Sequence, residues 1–289
     1  MIVSDCCPHV RRDGRAAGRT EDQHVTGTDR TAAPIDTTRP HPARVYDWFL
    51  GGKDNYPVDE ELGRRIMAID EGAVRAARAN RAFMERATRT LAEDGVHQFL
   101  DIGTGIPTEP HLHRIAQSVT PDARVVYVDN DPIVLAHASA LLRGTPEGVT
   151  EYVQADARDP RTILEQAARV LDFGRPVALS LIALLHFVAD EDGAHEVVAT
   201  LVDALAPGSG LVLSTMTADF EPENVEKGIA AYTAGGVTLV ARSRDEVAAF
   251  FEGLDLLEPG IVSVADWRSE GTPDGRGPVS LYGGVGRRP

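Results

Sequence analysis

The sequence predicts an α/β fold: a doubly wound, mostly parallel seven-stranded sheet with an antiparallel C-terminal hairpin and an N-terminal helical lid. From residue 96 onward, short apolar runs alternate with stretches of helical periodicity, which is the pattern of βαβ units in a parallel sheet. The last two runs are separated only by a polar, turn-like segment, so we expect them to form the hairpin. Before residue 96, helical patterns follow one another without a strand.

Composition divides the chain into three predicted segments. Residues 1–40 contain almost no large apolar side chains and would bury too little surface to offset the entropy lost on ordering, so we predict a disordered tail. Residues 41–95 are predicted to form the helical lid or cap, and residues 96–289 the domain that carries the sheet and binds the ligand. The helices expected in the lid are 43–50, 58–70 and 73–93.

The sheet-forming segment contains seven apolar runs of strand length, separated by helical stretches. The candidate strands are Val96–Ile102, Arg124–Val128, Val149–Val153, Val177–Ile182, Gly210–Ser214, Leu256–Val264 and Val279–Val285. The candidate helices are 108–119, 132–143, 160–171, 192–205, 221–233 and 243–252.

Composition and charge exclude several classes of protein. Apolar residues make up 43% of the 289 residues, which is enough for a substantial core. All of the net charge of −15 belongs to residues 41–289, and so acidic a body disfavours nucleic acid and anionic lipid as partners. The adjacent Cys6 and Cys7 cannot build a disulfide framework, so we expect a reducing cytoplasm. The longest nearly uncharged apolar run, Val177 to Ala189, is shorter than the roughly 20 residues of a membrane span.

The first strand of the sheet leads into a glycine turn. Asp101 ends the strand, and Gly103 and Gly105 allow a sharp turn and a close approach of a ligand to the main chain. A dinucleotide-binding fingerprint would place a third glycine at position 108, where Thr108 stands instead. This substitution disfavours an NAD-dependent oxidoreductase.

Two further carboxylates follow the next two strands. Asp129 ends the second strand, where a carboxylate suits the two hydroxyls of a ribose, and Asp156 lies just past the third. Taken singly, Asp129 could cap the helix expected at 132–143, and Asp156 could be an ordinary turn acid. Together with the glycine turn they favour a nucleoside that carries a positive charge, and S-adenosyl methionine is such a ligand.

Longer stretches resemble a known family, and the likeness runs from about Pro42 to the C-terminus. The family is that of the actinobacterial S-adenosyl methionine-dependent methyltransferases with an ARVYD…LGGKDN signature. Here the signature reads Ala43-Arg44-Val45-Tyr46-Asp47-Trp48-Phe49-Leu50-Gly51-Gly52-Lys53-Asp54-Asn55. Further matching pieces are Asn80-Arg81-Ala82-Phe83, Gln98-Phe99-Leu100-Asp101-Ile102-Gly103-Thr104-Gly105, Tyr127-Val128-Asp129-Asn130-Asp131-Pro132, Ala155-Asp156, Leu185-His186-Phe187 and Pro207-Gly208-Ser209. Departures at Trp48, Tyr56 and Arg114 bear on substrate contacts rather than on the cofactor.

The resemblance implies a Rossmann-like class I methyltransferase fold and a cofactor site. It implies that Asp101, Gly103 and Gly105 surround the methionine moiety, that Asp129 binds the ribose and that Asp156 binds the adenine amine. The predicted cofactor site also includes the neighbouring residues Thr104, Asn130 and Ala157.

His186, after the fourth strand, is the candidate catalytic residue. Its imidazole could act as a general base for a hydroxyl or amine acceptor, contact the cofactor or substrate, or simply pack. Methyl transfer is an in-line displacement, for which positioning and desolvation can suffice without a base.

The segment around Gly51-Gly52 allows two interpretations. It could be a plain helix end, or a mobile lid in which Tyr46, Lys53 and Asn55 contact the substrate. Tyr46 and Trp48 could equally be core residues.

His111 and His113 have no third ligand nearby in sequence, so we expect a solvated or capping role and no metal.

The sequence therefore predicts a methyltransferase that uses S-adenosyl methionine to modify a small-molecule acceptor on oxygen or nitrogen, with secondary metabolites as one source of acceptors. The alternative is a protein that binds the same cofactor without turnover and acts as a sensor or partner protein.

Overall fold

The structure is a computed structural model, and it describes residues 36–134, 144–269 and 277–289. Most of the predicted tail and of the helix predicted at 132–143 lie outside the described residues. No helix among the described residues has the length and hydropathy needed to cross a membrane.

From residue 36 onward, three helices precede the sheet, as the sequence predicts: α1 (Pro42–Leu50), α2 (Pro57–Ile69) and α3 (Ala73–Glu93). Proline stands in the first turn of α1 and α2, where its missing N–H has no helical partner to lose. Apolar side chains on one face of α3, Phe83 and Leu91 among them, are buried against the sheet.

Eight strands among the described residues form the sheet. They are β1 (Gln98–Ile102), β2 (Arg124–Asp129), β3 (Val149–Gln154), β4 (Ala178–Ile182), β5 (Gly210–Met216), β6 (Asp255–Leu256), β7 (Val262–Ser263) and β8 (Leu281–Arg287). Their order is β3-β2-β1-β4-β5-β8-β6, and β7 also pairs with β8. The first five strands are parallel, whereas β8 runs antiparallel to β5, β6 and β7. The predicted strand Leu256–Val264 is thus two short strands on either side of a turn.

In the part of the chain that the structure describes, five further helices connect the strands. They are α4 (Leu112–Val119), α5 (Pro160–Ala167), α6 (Ala194–Asp203), α7 (Pro222–Ala234) and α8 (Arg244–Ala249). One large apolar cluster fills the sheet face that holds Leu100 and Leu179, and a second fills the face that holds Phe99 and Val212. A third cluster, which includes Phe49 and Tyr232, joins α1, α2 and α3 to α7. The sheet is therefore covered on both faces, as its parallel strands require.

Residues 36–40 contact the rest of the described chain. The guanidinium of Arg44 in α1 donates to the carbonyl of Asp36 at 3.0 Å, and Asp36, Arg39 and Pro40 line the main cavity. Composition alone does not predict these contacts, because they depend on the position of α1 beside the cavity.

Candidate functional site

A cavity of about 660 Å³ lies at the carboxyl ends of the parallel strands. Its volume falls within the range of about 300–1,000 Å³ that is usual for small-molecule sites. The ligand sites of open α/β sheets lie at this edge. All eight residues predicted for the cofactor site line the cavity: Asp101, Gly103, Thr104, Gly105, Asp129, Asn130, Asp156 and Ala157.

The glycine turn is held by the carboxylate that ends the second strand. Gly105 donates its N–H to Oδ2 of Asp129 at 2.8 Å, and Gly103 and Gly105 have φ angles of 74° and 65°. A Cβ at Gly103 would meet the Leu184 side chain at 2.7 Å, so this position needs glycine for both conformation and space. The turn is therefore held by groups of the chain itself.

Asp129 is buried and its two oxygens accept different backbone N–H groups. Oδ2 accepts from Gly105, and Oδ1 accepts from Asp131 at 2.9 Å. The sequence also makes Asp129 a candidate cap for the helix predicted at 132–143. The carboxylate that accepts a backbone N–H there is that of Asp131, whose Oδ1 accepts from Ile133 at 2.9 Å. Asp129 thus sets the shape of the site, and each of its oxygens retains a second lone pair for a ligand hydroxyl.

Asp101 is buried beside Arg81 of α3. Burial raises the pKa of this carboxyl to about 7, although the Arg81 charge opposes the rise. Nη2 of Arg81 donates to the carbonyls of Thr108 and Pro110 at 2.6 and 2.7 Å, and its Nε is buried without a hydrogen-bond partner. Arg81 also lines the cavity. An acid and an unsatisfied guanidinium donor together match the ammonium and carboxylate of an amino acid.

Asp156 lies past β3 with its carboxylate partly exposed. It accepts from Nε and Nη2 of Arg158 at 2.9 and 2.6 Å and from the backbone N–H of Arg158 at 2.9 Å. These hydrogen bonds lower its pKa and keep it an acceptor at neutral pH. Asp156 therefore combines the predicted turn role with a position on the cavity wall.

The same cavity has a second, apolar half. We call this half the apolar chamber and define it by the lining side chains Phe49, Ile69, Phe187, Met216, Tyr232 and Leu239. They belong to the third apolar cluster or pack against it. The polar half is defined by Arg44, Arg81, Asp101, Asp129, Asp156 and Arg158. Phe187 follows β4, and Met216 is the last residue of β5. The chamber therefore lies beside β4 and β5, next to the strands β1, β2 and β3 that carry the acids.

His186 is buried and also lines the cavity. Its Nδ1 accepts the backbone N–H of Met216 at 3.2 Å, so the neutral ring carries its proton on Nε2. Burial, with Arg242 nearby, lowers the pKa of His186 to about 3. A general base at neutral pH works best with a pKa near that pH. The structure therefore favours a contact or packing role for His186 over the predicted general base.

Tyr46 lines the cavity at the end of a buried hydrogen-bond chain. Ser214 Oγ donates to Asn80 Oδ1 at 2.7 Å, Asn80 Nδ2 donates to the Tyr46 hydroxyl at 3.0 Å, and that hydroxyl donates to the Ala77 carbonyl at 3.0 Å. Asn80 is completely buried, so the chain fixes Tyr46 against α3. Tyr46 is thus both a packed residue and part of the cavity wall.

The glycine pair after α1 is a helix end. Gly51 has a φ of 82°, and a Cβ at Gly52 would meet Oδ1 of Asp47 at 1.9 Å. The Asp47 carboxylate accepts from Asp54 N–H and from Asn55 Nδ2 at 3.0 and 2.8 Å. Hydrogen bonds within the segment therefore hold the turn that follows α1.

Two predicted substrate contacts lie away from the cavity. Lys53 is exposed, and neither Lys53 nor Asn55 is among the described residues that line it. Asn55 instead holds the turn after α1.

A buried charge network that the sequence analysis missed joins α1 to the end of β2. Arg44 lies 3.6 Å from Asp59 through Nη1 and 3.3 Å from Asp131 through Nε. His41 Nδ1 lies 3.3 Å from Asp131, and its backbone N–H donates to Asp59 at 2.8 Å. The sequence signals were the presence of Arg44 in the family signature and of Asp131 in another matching piece, but neither indicates that the two residues pair.

His111 and His113 are buried, so the expected solvated role is wrong. Nδ1 of His113 lies 3.0 Å from the Tyr127 hydroxyl, which also accepts the His113 backbone N–H at 2.8 Å. His111 lies 3.4 Å from Glu109 and makes no side-chain cap. Within the described ranges no group of three or more His, Cys, Asp or Glu side chains could hold a metal ion.

Comparison with known proteins identifies the family. A family model described as S-adenosyl methyltransferase matches residues 28–289. The chain belongs to this S-adenosyl methyltransferase family. Its cofactor is accordingly S-adenosyl methionine.

Solved structures agree with this family. A DUF574 family protein from Streptomyces avermitilis MA-4680 is 48% identical, with a TM-score of 0.86 over 89% of this chain and 100% of that chain. A candidate methyltransferase from Thermobifida fusca YX is 40% identical, with a TM-score of 0.80 over 86% of this chain and 95% of that chain. The plantazolicin methyltransferase BamL, at 11% identity and a TM-score of 0.50, shares only the fold. No match is found among curated proteins.

The polar half fits this cofactor. The buried and unsatisfied Nε of Arg81 and the Asp101 carboxyl offer partners for a carboxylate and an ammonium group. Spare lone pairs on Asp129 and Asp156 offer acceptors for hydroxyls and for an amine. Bound S-adenosyl methionine supplies a methyl group that is activated by its sulfonium.

Proposed function

We propose that this protein transfers a methyl group from S-adenosyl methionine to a small-molecule acceptor bound in the apolar chamber. The observation that carries the proposal is that one cavity contains both the acids over β1, β2 and β3 and the apolar walls beside β4 and β5. The cavity size suits a small acceptor rather than a polymer.

The chain's own groups would act by binding, orienting and excluding water. Arg81 and Asp101 would hold the amino-acid part of the cofactor, Asp129 the ribose and Asp156 the adenine amine. The chamber walls would place the acceptor next to the sulfonium and keep water away, which is the main help that an in-line displacement needs. His186, with its proton on Nε2, would donate a hydrogen bond rather than remove a proton.

Calorimetry tests the cofactor part of the proposal. S-adenosyl methionine and S-adenosyl homocysteine should bind in the micromolar range, and NAD should not bind. A preference for NAD, or no binding of either adenosyl ligand, would refute the proposal.

A labelled-methyl transfer screen against fractionated metabolites tests turnover. Transfer of label to a fraction supports the enzyme. Tight cofactor binding with no transfer to any fraction would favour the alternative, a cofactor-binding protein without turnover.

We also propose that residues 41–95 act as a lid over the site. Residues from α1, α2 and α3 line the cavity, so a ligand must pass them or displace them. Hydrogen exchange across 43–56 should slow when S-adenosyl homocysteine binds, because binding stabilises the closed arrangement. Exchange that is slow without ligand and unchanged with it would make the segment ordinary packed structure.

A further inference from the structure

The apolar chamber has walls of a particular chemistry. Four aromatic side chains from three parts of the chain line the cavity on this side: Tyr46, Phe49, Phe187 and Tyr232. The rings of Phe187 and Tyr232 are 6.2 Å apart and tilted by 56°. Aromatic walls favour an aromatic ligand, because offset and edge-to-face ring contacts add to the burial of apolar surface.

Charge is nearly absent from this side of the cavity. Among the described residues that line the cavity outside the polar half, Asp36 and Arg39 hydrogen bond to each other at 3.2 Å. Asp70 lines the cavity next to Ile69, and its Oδ1 accepts the N–H of Gly72 at 2.7 Å. A charged acceptor would therefore leave water for side chains that already share their charge with each other or accept a hydrogen bond, which is costly.

The hydroxyl groups of Tyr46 and Tyr232, which both line the cavity, do not provide a charged partner either. The Tyr46 hydroxyl donates to the Ala77 carbonyl, and burial raises the pKa of both Tyr46 and Tyr232. Both phenols thus stay neutral across the physiological range, and neither can pair with a cation as a phenolate.

We infer that the acceptor is an uncharged aromatic molecule whose ring packs against the wall that Phe49, Phe187 and Tyr232 form. This inference rests on the proposed function, because it assigns the chamber to the acceptor. It goes further by excluding carboxylate and ammonium acceptors, which the polar half alone would not exclude.

Three probes with one ring system test the inference: 1-naphthol, 1-naphthoate and 1-naphthylmethylamine. They share the naphthalene ring and differ in charge at neutral pH. Binding is measured by fluorescence on the full chain saturated with S-adenosyl homocysteine, so that the probes compete only for the chamber. The neutral naphthol should bind at least tenfold more tightly than either charged probe. Equal binding of all three, tighter binding of a charged probe, or binding of none would overturn the inference.

A charge placed in the chamber locates the probe. Ile69→Lys puts an ammonium on a half-buried lining position, and it should weaken naphthol binding and shift the preference toward naphthoate. Ala68→Lys is the matched control, because Ala68 is exposed on the same helix and is not among the described lining residues. Equal probe preference in the two variants would place naphthol outside the chamber and overturn the inference.

Calorimetry with S-adenosyl homocysteine on the same proteins distinguishes a failure of the proposed function from a failure of the inferred acceptor class. If this ligand does not bind to the wild-type chain, the proposed function fails. If it binds normally and the charged probes are preferred, only the acceptor class is wrong.

Discussion

The two halves of the cavity are built in opposite ways. In the polar half, loops after β1, β2 and β3 converge on a backbone turn, and acids such as Asp129 hold it through hydrogen bonds to N–H groups. In the apolar chamber, side chains from distant helices meet without directed bonds, as Phe49 and Tyr232 do. Directed bonds fix the geometry of one ligand, whereas apolar walls set only size and polarity. The two halves therefore constrain their ligands to different degrees.

Arg44 of α1 pairs with an acid of α2 and with one that follows β2, and removing it should have the largest effect. Arg44→Met would leave the carboxylates of Asp59 and Asp131 buried without their cation. Breaking a buried ion pair on one side typically lowers the free energy of unfolding by about 3–5 kcal/mol. Urea unfolding measures the change. Arg64→Met is the control: Arg64 pairs with Glu60 on the surface, so its loss should change stability by only about 0–1 kcal/mol. Similar losses in both variants would show that the network adds nothing.

Asp129→Ala should break the polar half and leave the chamber intact. It removes the acceptor of Gly105 N–H and the expected ribose partner, and truncating such a buried charged partner typically costs about 2–5 kcal/mol of binding free energy. Calorimetry should show S-adenosyl homocysteine binding weakened at least tenfold. Leu239→Ala is the reciprocal change and should leave that affinity nearly unchanged, because Leu239 lines the chamber. Unchanged affinity in Asp129→Ala would refute the ribose assignment.

Arg81→Met should weaken binding of the amino-acid part of the cofactor and leave binding of its adenosine part unchanged. A hydrogen bond to a charged group contributes about 1.5–3 kcal/mol, so S-adenosyl homocysteine should bind about ten- to a hundredfold more weakly. The affinity for 5′-methylthioadenosine, which lacks the amino-acid part, should stay the same. Arg78→Met is the matched control, since Arg78 is exposed on the same helix. An equal loss for both ligands would mean that Arg81 only supports the loop at Thr108 and Pro110.

The smallest expected effect is a pH dependence of cofactor binding that comes from Asp101. Burial raises its pKa to about 7 in the free protein, so below that pH the carboxyl is mostly protonated. A cationic ligand prefers the carboxylate and lowers the pKa, so binding should release a proton and affinity should rise with pH toward 7, by at most about tenfold per pH unit. Calorimetry at pH 6 in buffers of different ionisation enthalpy measures the proton release.

Asp101→Asn should abolish that proton release. The same raised pKa means that Asp101 favours the folded state most at low pH, and that this contribution is lost as pH rises from about 4 to 7. Proton release that persists in the Asn variant would assign it to another group.

The sequence by itself determined the alternation of strands and helices, because apolar periodicity and turn residues are local signals. It also placed Asp101, Asp129 and Asp156 in one site, since the ends of parallel strands meet at one edge. For this reason Gly105 and Asp129, which are 24 positions apart in sequence, form a hydrogen bond of 2.8 Å.

Only the tertiary structure decided the chemistry of the chamber and the state of its buried groups. The chamber forms where α1, α2 and α7 meet, and no local pattern relates Phe49 to Tyr232. The pKa of His186 and the pairing of Arg44 with Asp59 and Asp131 depend on burial and on partners from other elements. Sequence spacing records what neighbours along a strand or helix share, whereas desolvation and ion pairing arise only when distant segments pack together.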